Sequence, residues 1–294
     1  MSETDSLQRF LFEDLHVRGE LVRLDESWRQ VLANHVYPPA VRTVLGEAMA
    51  ATVLLVSTLK FDGMLTLQIQ GDGPLSMVVV QCSSQRLIRG VAKWRGADPR
   101  GAFSELTGEG RLAITIERGE GKDRYQGIVP LTGDSLAACL DAYFRGSAQV
   151  PTRLWLTADE RSVAGMLLQR LPGAEEADVE GDDDWRRLQL LAETVTPGEM
   201  LDLPGHRLLS RLFAEDDLRL FEPDRVAFSC SCNAERVATT LRMLGRDEIA
   251  ALIAEEGGVE VRCEFCNRAY QYDAVDAEAL FAGLPPTGDS QTVH

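Results

Sequence analysis

Basic residues are in short supply: 30 Lys and Arg stand against 46 Asp and Glu, for a net charge of -16 and a pI near 4.7. Phosphate contacts need a basic footprint, so this balance argues against a nucleic-acid partner. It suits a protein that must stay soluble while presenting apolar surface. Histidine is scarcer still. His16, His35, His206 and His294 are scattered and share no ligand spacing. No Ser/His/Asp signature sits at a nucleophile elbow. Gly71-Asp-Gly73 is a fragment of a phosphate loop without the helix start that would complete one, and reads as a turn. Nothing points to an active site, and the chain is read as not an enzyme. A long apolar run is also missing. The longest, Ala48 to Leu59, is broken by Thr52, Ser57 and Thr58 and is too short to span a bilayer. The first six residues carry acid rather than a basic segment before an apolar one, so no secretory signal is expected. These gaps predict no membrane partner and a cytoplasmic location, where thiols stay reduced. Six cysteines in that setting indicate metal binding or redox chemistry rather than a disulfide scaffold.

With 294 residues, 45% of them hydrophobic, the chain can bury a real core in one large domain or two to three smaller ones. Residues 16–24 alternate as a strand, and Asp25 is placed to cap a short helix over 26–35. Pro38 and Pro39 open a long helix to about Lys60, whose apolar positions surround most of its circumference, so burial against a sheet is expected. Alternating segments at 64–70 and 74–82 flank Gly71-Asp-Gly-Pro74 as a hairpin. Further strands are expected at 87–94, 111–117, 125–131, 151–156 and 162–171, with a helix over 135–144 capped by Asp134 or Ser135. This is an α+β pattern. We divide the chain into an N-terminal sheet-and-helix domain, 1–174, a linker, 175–229, and a small C-terminal domain, 230–294.

Residues 175–184 hold seven acids and read as a solvated stretch. From Trp185 to Phe221 the pattern turns helical and rich in large apolar side chains, broken by Pro197-Gly198 and Pro204-Gly205. Helices that short need a surface to dock on. Trp185, Leu188, Leu191, Leu212 and Phe213 are therefore expected to pack onto the N-terminal sheet. In 230–294 we expect helices over 234–244 and 248–256, the second capped by Asp247. A hairpin over 259–273 and a last helix from Asp276 follow.

Four cysteines in that segment form the one constellation with chemistry in it: Cys230-Ser-Cys232, then thirty residues, then Cys263-Glu-Phe-Cys266. Zinc takes four soft ligands in a tetrahedron, and two close pairs on separate elements supply them. A four-cysteine site has no open position for hydrolysis. The Cys-x-Cys spacing is tighter than structural sites commonly use, and a disulfide across it would close a small, strained and labile ring. Thiolates are also what oxidants attack. Spacing alone leaves a structural zinc site, a redox switch and another metal or cluster open. Cys82, at a strand end, and Cys139, in an apolar helix, read as buried small hydrophobes.

The chain resembles the heat-shock protein 33 family of redox-regulated chaperonins along nearly its whole length. The resemblance is carried by GEAMAATVLLVSTLKFDGMLTLQIQGDGPL (46–75), YQGIVPLTGDSLAACLDAYF (125–144), FSCSCNAERV (228–237) and VRCEFCNRAYQYD (261–273). It implies an ATP-independent holdase that binds zinc through Cys230, Cys232, Cys263 and Cys266 when reduced. It further implies that oxidation forms two disulfides, Cys230–Cys232 and Cys263–Cys266, and that zinc leaves. The C-terminal domain and linker then unfold, unfolding client proteins are bound, and the oxidised protein becomes a homodimer. Two other readings compete. A thiol–disulfide oxidoreductase using Cys263-x-x-Cys266 would need that motif to open a helix, whereas it lies between strand-like segments. A zinc ribbon docking nucleic acid would need basic surface, yet 230–294 holds eleven acids and five basic residues.

Overall fold

In the computed structural model, which describes residues 5–119, 124–148, 150–171, 183–282 and 290–291, the chain starts with two antiparallel strands. These are β1 (Ser6–Phe12) and β2 (Val17–Leu24), followed by α1 (Glu26–Asn34) and the twenty-residue α2 (Pro39–Thr58). A run of strands comes next: β3 (Met64–Gly71), β4 (Leu75–Ser83) and β5 (Leu87–Trp94). A short α3 (Phe103–Thr107) precedes β6 (Gly110–Glu117) and β7 (Arg124–Pro130). Helix α4 (Leu136–Tyr143) runs into one π-helical turn, Phe144–Ala148, before β8 (Thr152–Ala158) and β9 (Val163–Arg170). Three short helices follow, α5 (Asp183–Glu193), α6 (Pro197–Asp202) and α7 (Gly205–Leu212). Three very short strands end the run: β10 (Leu218–Leu220), β11 (Asp224–Arg225) and β12 (Ala227–Phe228). All of this belongs to one compact unit, Met1–Ser229. Cys230–His294 forms a second, with α8 (Ala234–Leu244), α9 (Arg246–Glu256), β13 (Val259–Arg262), β14 (Ala269–Tyr272), α10 (Ala274–Phe281) and β15 (Ser290–Gln291).

The first unit has two sheets. One runs β10-β1-β2-β9-β8, with β11 also paired to β1; the other runs β12-β5-β4-β3-β6-β7. Helix α2 touches β2, β8 and β9 of the first sheet and β3, β4 and β5 of the second. Lying between two sheets, it is apolar on nearly every side, as a helix without a solvent face must be. By length and composition it is long and apolar enough to cross a membrane; here its apolarity fills the core of a folded unit. Gly46 lets the helix close on β8 and β9, since a Cβ there would stand 2.4 Å from that of Ala158.

Period-two alternation gives the first sheet two apolar faces. Leu7, Val22, Leu24, Val163 and Leu167 join the α2 core. Phe10, Phe12, Val17, Leu21, Met166 and Leu168 point the other way, into a second cluster completed by α5, α6 and α7. The linker helices thus cover the outer face of the first sheet and belong to the same compact unit as it does. The acidic residues 175–182 lie outside the described residues.

Three local expectations change. Asp25 does not cap α1 with its side chain; the Asp5 carboxylate does that work from outside the helix, accepting from the Ser27 and Asp25 N–H groups. Helix α9 begins at Arg246 with Gly245, not Asp247, as its N-cap. Helix α10 begins at Ala274, capped by Asp273, whose carboxylate accepts from Val275 and Asp276 N–H. Ser135 caps α4, accepting from Ala138 N–H at 3.1 Å.

Candidate metal centre

The second unit holds its cysteines on two short pieces of chain, a hairpin turn and a loop. Cys263 and Cys266 sit in the turn between β13 and β14, whose register runs from Val259 opposite Tyr272 to Arg262 opposite Ala269. Cys263 N–H donates to the Arg268 carbonyl at 2.9 Å and Asn267 N–H to the Cys263 carbonyl at 2.8 Å. Asn267 adopts positive φ (54°), which an Asn tolerates better than most residues and which folds the chain back on itself. This geometry aims backbone donors at sulfur: the N–H groups of Phe265 and Cys266 at Cys263, and that of Arg268 at Cys266.

Cys230 and Cys232 lie on the loop before α8. Asn233 closes that loop by accepting from Arg236 N–H at 2.9 Å, and Arg236 reaches back to the Ser231 carbonyl at 3.0 Å and hydroxyl at 2.7 Å. Two tyrosines of β14 support it from below. Tyr270 donates to Cys232 Sγ at 3.2 Å and Tyr272 to the Ala234 carbonyl at 3.2 Å.

The four Sγ atoms all lie within 4.8 Å of one another, with Cys230–Cys263 at 3.6 Å and Cys232–Cys266 at 3.4 Å. A tetrahedron with Zn–S near ~2.3 Å has edges of about 3.8 Å, so the donor set fits a tetrahedral thiophilic ion. Electrostatics say the same. The neighbouring Cys230 thiol first, and burial second, push the Cys263 thiol up, and burial pushes Cys266 up to about 11. A cation bound among the four sulfurs would reverse that logic and hold them as thiolates.

Comparison with known proteins bears on what such a centre belongs to. The sequence model of the family described as "Hsp33 protein" matches residues 5–273. The chain belongs to the Hsp33 family. It is 52% identical to the 33 kDa chaperonin of Nitrosococcus oceani over 294 residues, covering 100% of both chains. It is 47% identical to the 33 kDa chaperonin of Azotobacter vinelandii, again over 100% of both. The crystal structure of the Thermotoga maritima 33 kDa chaperonin shares the fold, with TM-score 0.79 and 22% identity over 95% of this chain and 98% of that one. The Hsp33 relatives are named chaperonins, and no enzymatic activity is indicated for them.

In this Hsp33 chain the remaining expected residues are placed as follows. Trp185, Leu188, Leu212 and Phe213 are buried in the cluster on the outer face of the first sheet, and Leu191 packs against it partly buried. Cys82 and Cys139 are buried in the α2 core of the first unit, with burial pushing Cys82 up to about 12. Cys263 and Cys266 open no helix, so the setting expected of a thioredoxin-like motif is absent from this hairpin. Tyr270, Arg268 and Asp5 carry roles that sequence reading missed. Each acts on a partner distant in sequence or outside any periodic pattern.

Proposed function

We propose that this chain is an ATP-independent holding chaperone switched by oxidation of Cys230, Cys232, Cys263 and Cys266, with zinc as the ion of the reduced state. The observation that carries this reading is the convergence of four sulfurs inside a unit with very little other core. Among the described residues seven buried apolar ones form that core, Ala238, Leu241, Ile249, Tyr270, Tyr272, Ala277 and Leu280, in a segment of 65 residues. Domains this small seldom hold together on apolar burial alone. Zinc, when bound, ties the loop to the hairpin and contributes about 10–16 kcal/mol of apparent binding free energy to folding.

Oxidation removes that contribution. Each pair of thiols surrenders two electrons and two protons and forms one S–S bond, while a peroxide takes them up and leaves as two waters. The family resemblance supplies the pairing Cys230–Cys232 and Cys263–Cys266. Two close sulfur contacts, Cys230–Cys263 and Cys232–Cys266, run across these pairs, and the choice matters physically. Bridges within the pairs close rings on the loop and on the hairpin turn but leave loop and hairpin untied. Crossed bridges would staple the unit shut. Only the first pairing turns oxidation into unfolding.

Unfolding of the second unit is then coupled to release of α5, α6 and α7. The surface they vacate, with Phe10, Phe12, Leu21 and Met166 at its centre, takes up exposed apolar segments of unfolding client proteins. The reducing cytoplasm keeps the switch closed until oxidant arrives, and the opened surface also favours a homodimer. The test is whether the full-length protein suppresses light scattering by a heat-unfolding client only after oxidant, with zinc and free thiols counted before and after. Equal suppression in both states would remove the redox switch, and disulfide mapping that returned crossed pairs would remove the unfolding step.

A further inference from the structure

We propose that Tyr270 is a positioning residue for the Cys232 corner of the metal centre, supplying by side chain the hydrogen bond to sulfur that the hairpin backbone supplies at the other pair. The inference rests on the metal reading given above and concerns what this chain adds to it. Cys263 and Cys266 receive backbone N–H groups because they sit in a turn that aims them. Cys232 sits on the loop before α8, and there the Tyr270 hydroxyl, 3.2 Å from Sγ, donates from a side chain. The hydroxyl has little freedom. Tyr270 stands opposite Val261 in the β13–β14 ladder and its ring is almost wholly buried among Leu241, Ile249 and Leu280. The Arg268 guanidinium lies beside the same hydroxyl and near Cys232 and Cys266. A guanidinium beside the phenol oxygen favours the orientation in which the O–H points at sulfur, so the two groups act in series.

A hydrogen bond of this kind draws electron density from the sulfur lone pairs. It lowers the nucleophilicity of the thiolate and fixes the direction in which it binds an ion. Tyr272, two residues along the same strand face, is the internal comparison. It is as deeply buried and also reaches the chain just after Cys232, but its hydroxyl ends on the carbonyl of Ala234, the first residue of α8, rather than on a sulfur. Removing either hydroxyl takes one similar hydrogen bond from the same core, and only one of the two acts on a ligand.

The experiment loads the full-length reduced protein with cobalt(II) and compares wild type, Tyr270→Phe and Tyr272→Phe. In Tyr270→Phe the thiolate-to-cobalt charge-transfer band should move to lower energy, because the sulfur lone pair is no longer held down. Limiting maleimide, whose double bond the sulfur adds across while the ring carbon takes a proton from water, should label Cys232 about tenfold faster relative to the other three cysteines. Tyr272→Phe should leave the band and the labelling pattern as in wild type. Arg268→Met should move both in the Tyr270→Phe direction by less, which keeps the test alive if Tyr270→Phe folds poorly. The same band shift in Tyr272→Phe, or none in Tyr270→Phe and Arg268→Met, would overturn the role of Tyr270 while leaving the metal site standing. A wild type without cobalt–thiolate bands would overturn the metal reading itself, and this inference with it.

Discussion

Replacing Phe213 with alanine should open the linker of the reduced, zinc-loaded protein without unfolding the rest of it. Phe213 ends α7, is 1% exposed, and meets Phe12 edge-on with ring centroids 5.0 Å apart and Phe10 at 6.3 Å. Phe-to-Ala changes at such sites cost about 3–5 kcal/mol through lost burial and the cavity left behind. The cost falls on a weak element. Helices α5, α6 and α7 have eleven, six and eight residues and cannot persist undocked. A loss of that size raises the population of the undocked state by about 10²–10⁴-fold. Hydrogen exchange read by mass spectrometry should show faster exchange by that factor over residues 185–213. The β3–β4 hairpin, buried in the α2 core, should keep its protection, because opening energies differ between cooperative units. The variant should also suppress client aggregation before oxidation while retaining its zinc. Equal loss of protection in β3–β4 would show that linker and sheets open as one. A freely exchanging linker without client binding would show that the covered face of the first sheet is not the client surface.

Further outcomes follow from the same geometry. Cys266→Ser should weaken zinc binding and loosen the second unit, as read by zinc content and by protease sensitivity after Ser229. Cys82→Ser and Cys139→Ser should keep full zinc, although an unpaired buried hydroxyl costs about 1–3 kcal/mol; equal zinc loss in all three would relocate the site. In wild type, oxidant should strip exchange protection from 185–282 but not from β3–β4, and unchanged exchange over 185–229 alongside switched-on client binding would sink the linker step. Burial under α2, beside Ser57, raises the Glu20 carboxyl from 4.5 to about 7, so the folded state keeps a proton that the unfolded state gives up. The stability that proton contributes is present below about pH 4.5 and is lost as pH rises toward 7, about 3 kcal/mol in all. Glu20→Gln should therefore gain on wild type in denaturant midpoint between pH 5 and 8, and a constant difference across that range would refute the assignment.

What was legible in the sequence follows a physical rule: patterns that report one environment are readable, and contacts between distant segments are not. The hairpin at Gly71-Asp-Gly-Pro74 and the helix 234–244 stand where turn chemistry and spacing placed them, because those signals are local. Strand β1 went unread. Its apolar residues belong to two faces, Leu7 to one core and Phe10 and Phe12 to the other, and a strand buried on both sides shows no alternation. The same geometry lies behind the all-round apolarity of α2, from which one sheet was expected where two are found. Gly19 in β2 carries no pattern signal at all. Its missing side chain is the floor on which the Phe10 ring lies, since a Cβ there would come within 2.0 Å of that ring. The four cysteines were legible because thiolate chemistry is rare and its spacing is constrained. Their supporting donors were not. Tyr270 reads as an ordinary strand residue until the hairpin register and the approach of the Cys232 loop put its hydroxyl on a sulfur. The division has a consequence for the proposed switch. The reactive atoms are written locally, in two short segments, whereas the grip that decides how readily they react is written in packing. Substitutions far from any cysteine, in the β14 face or under α7, are therefore where the threshold of such a protein can shift while its motif stays unchanged.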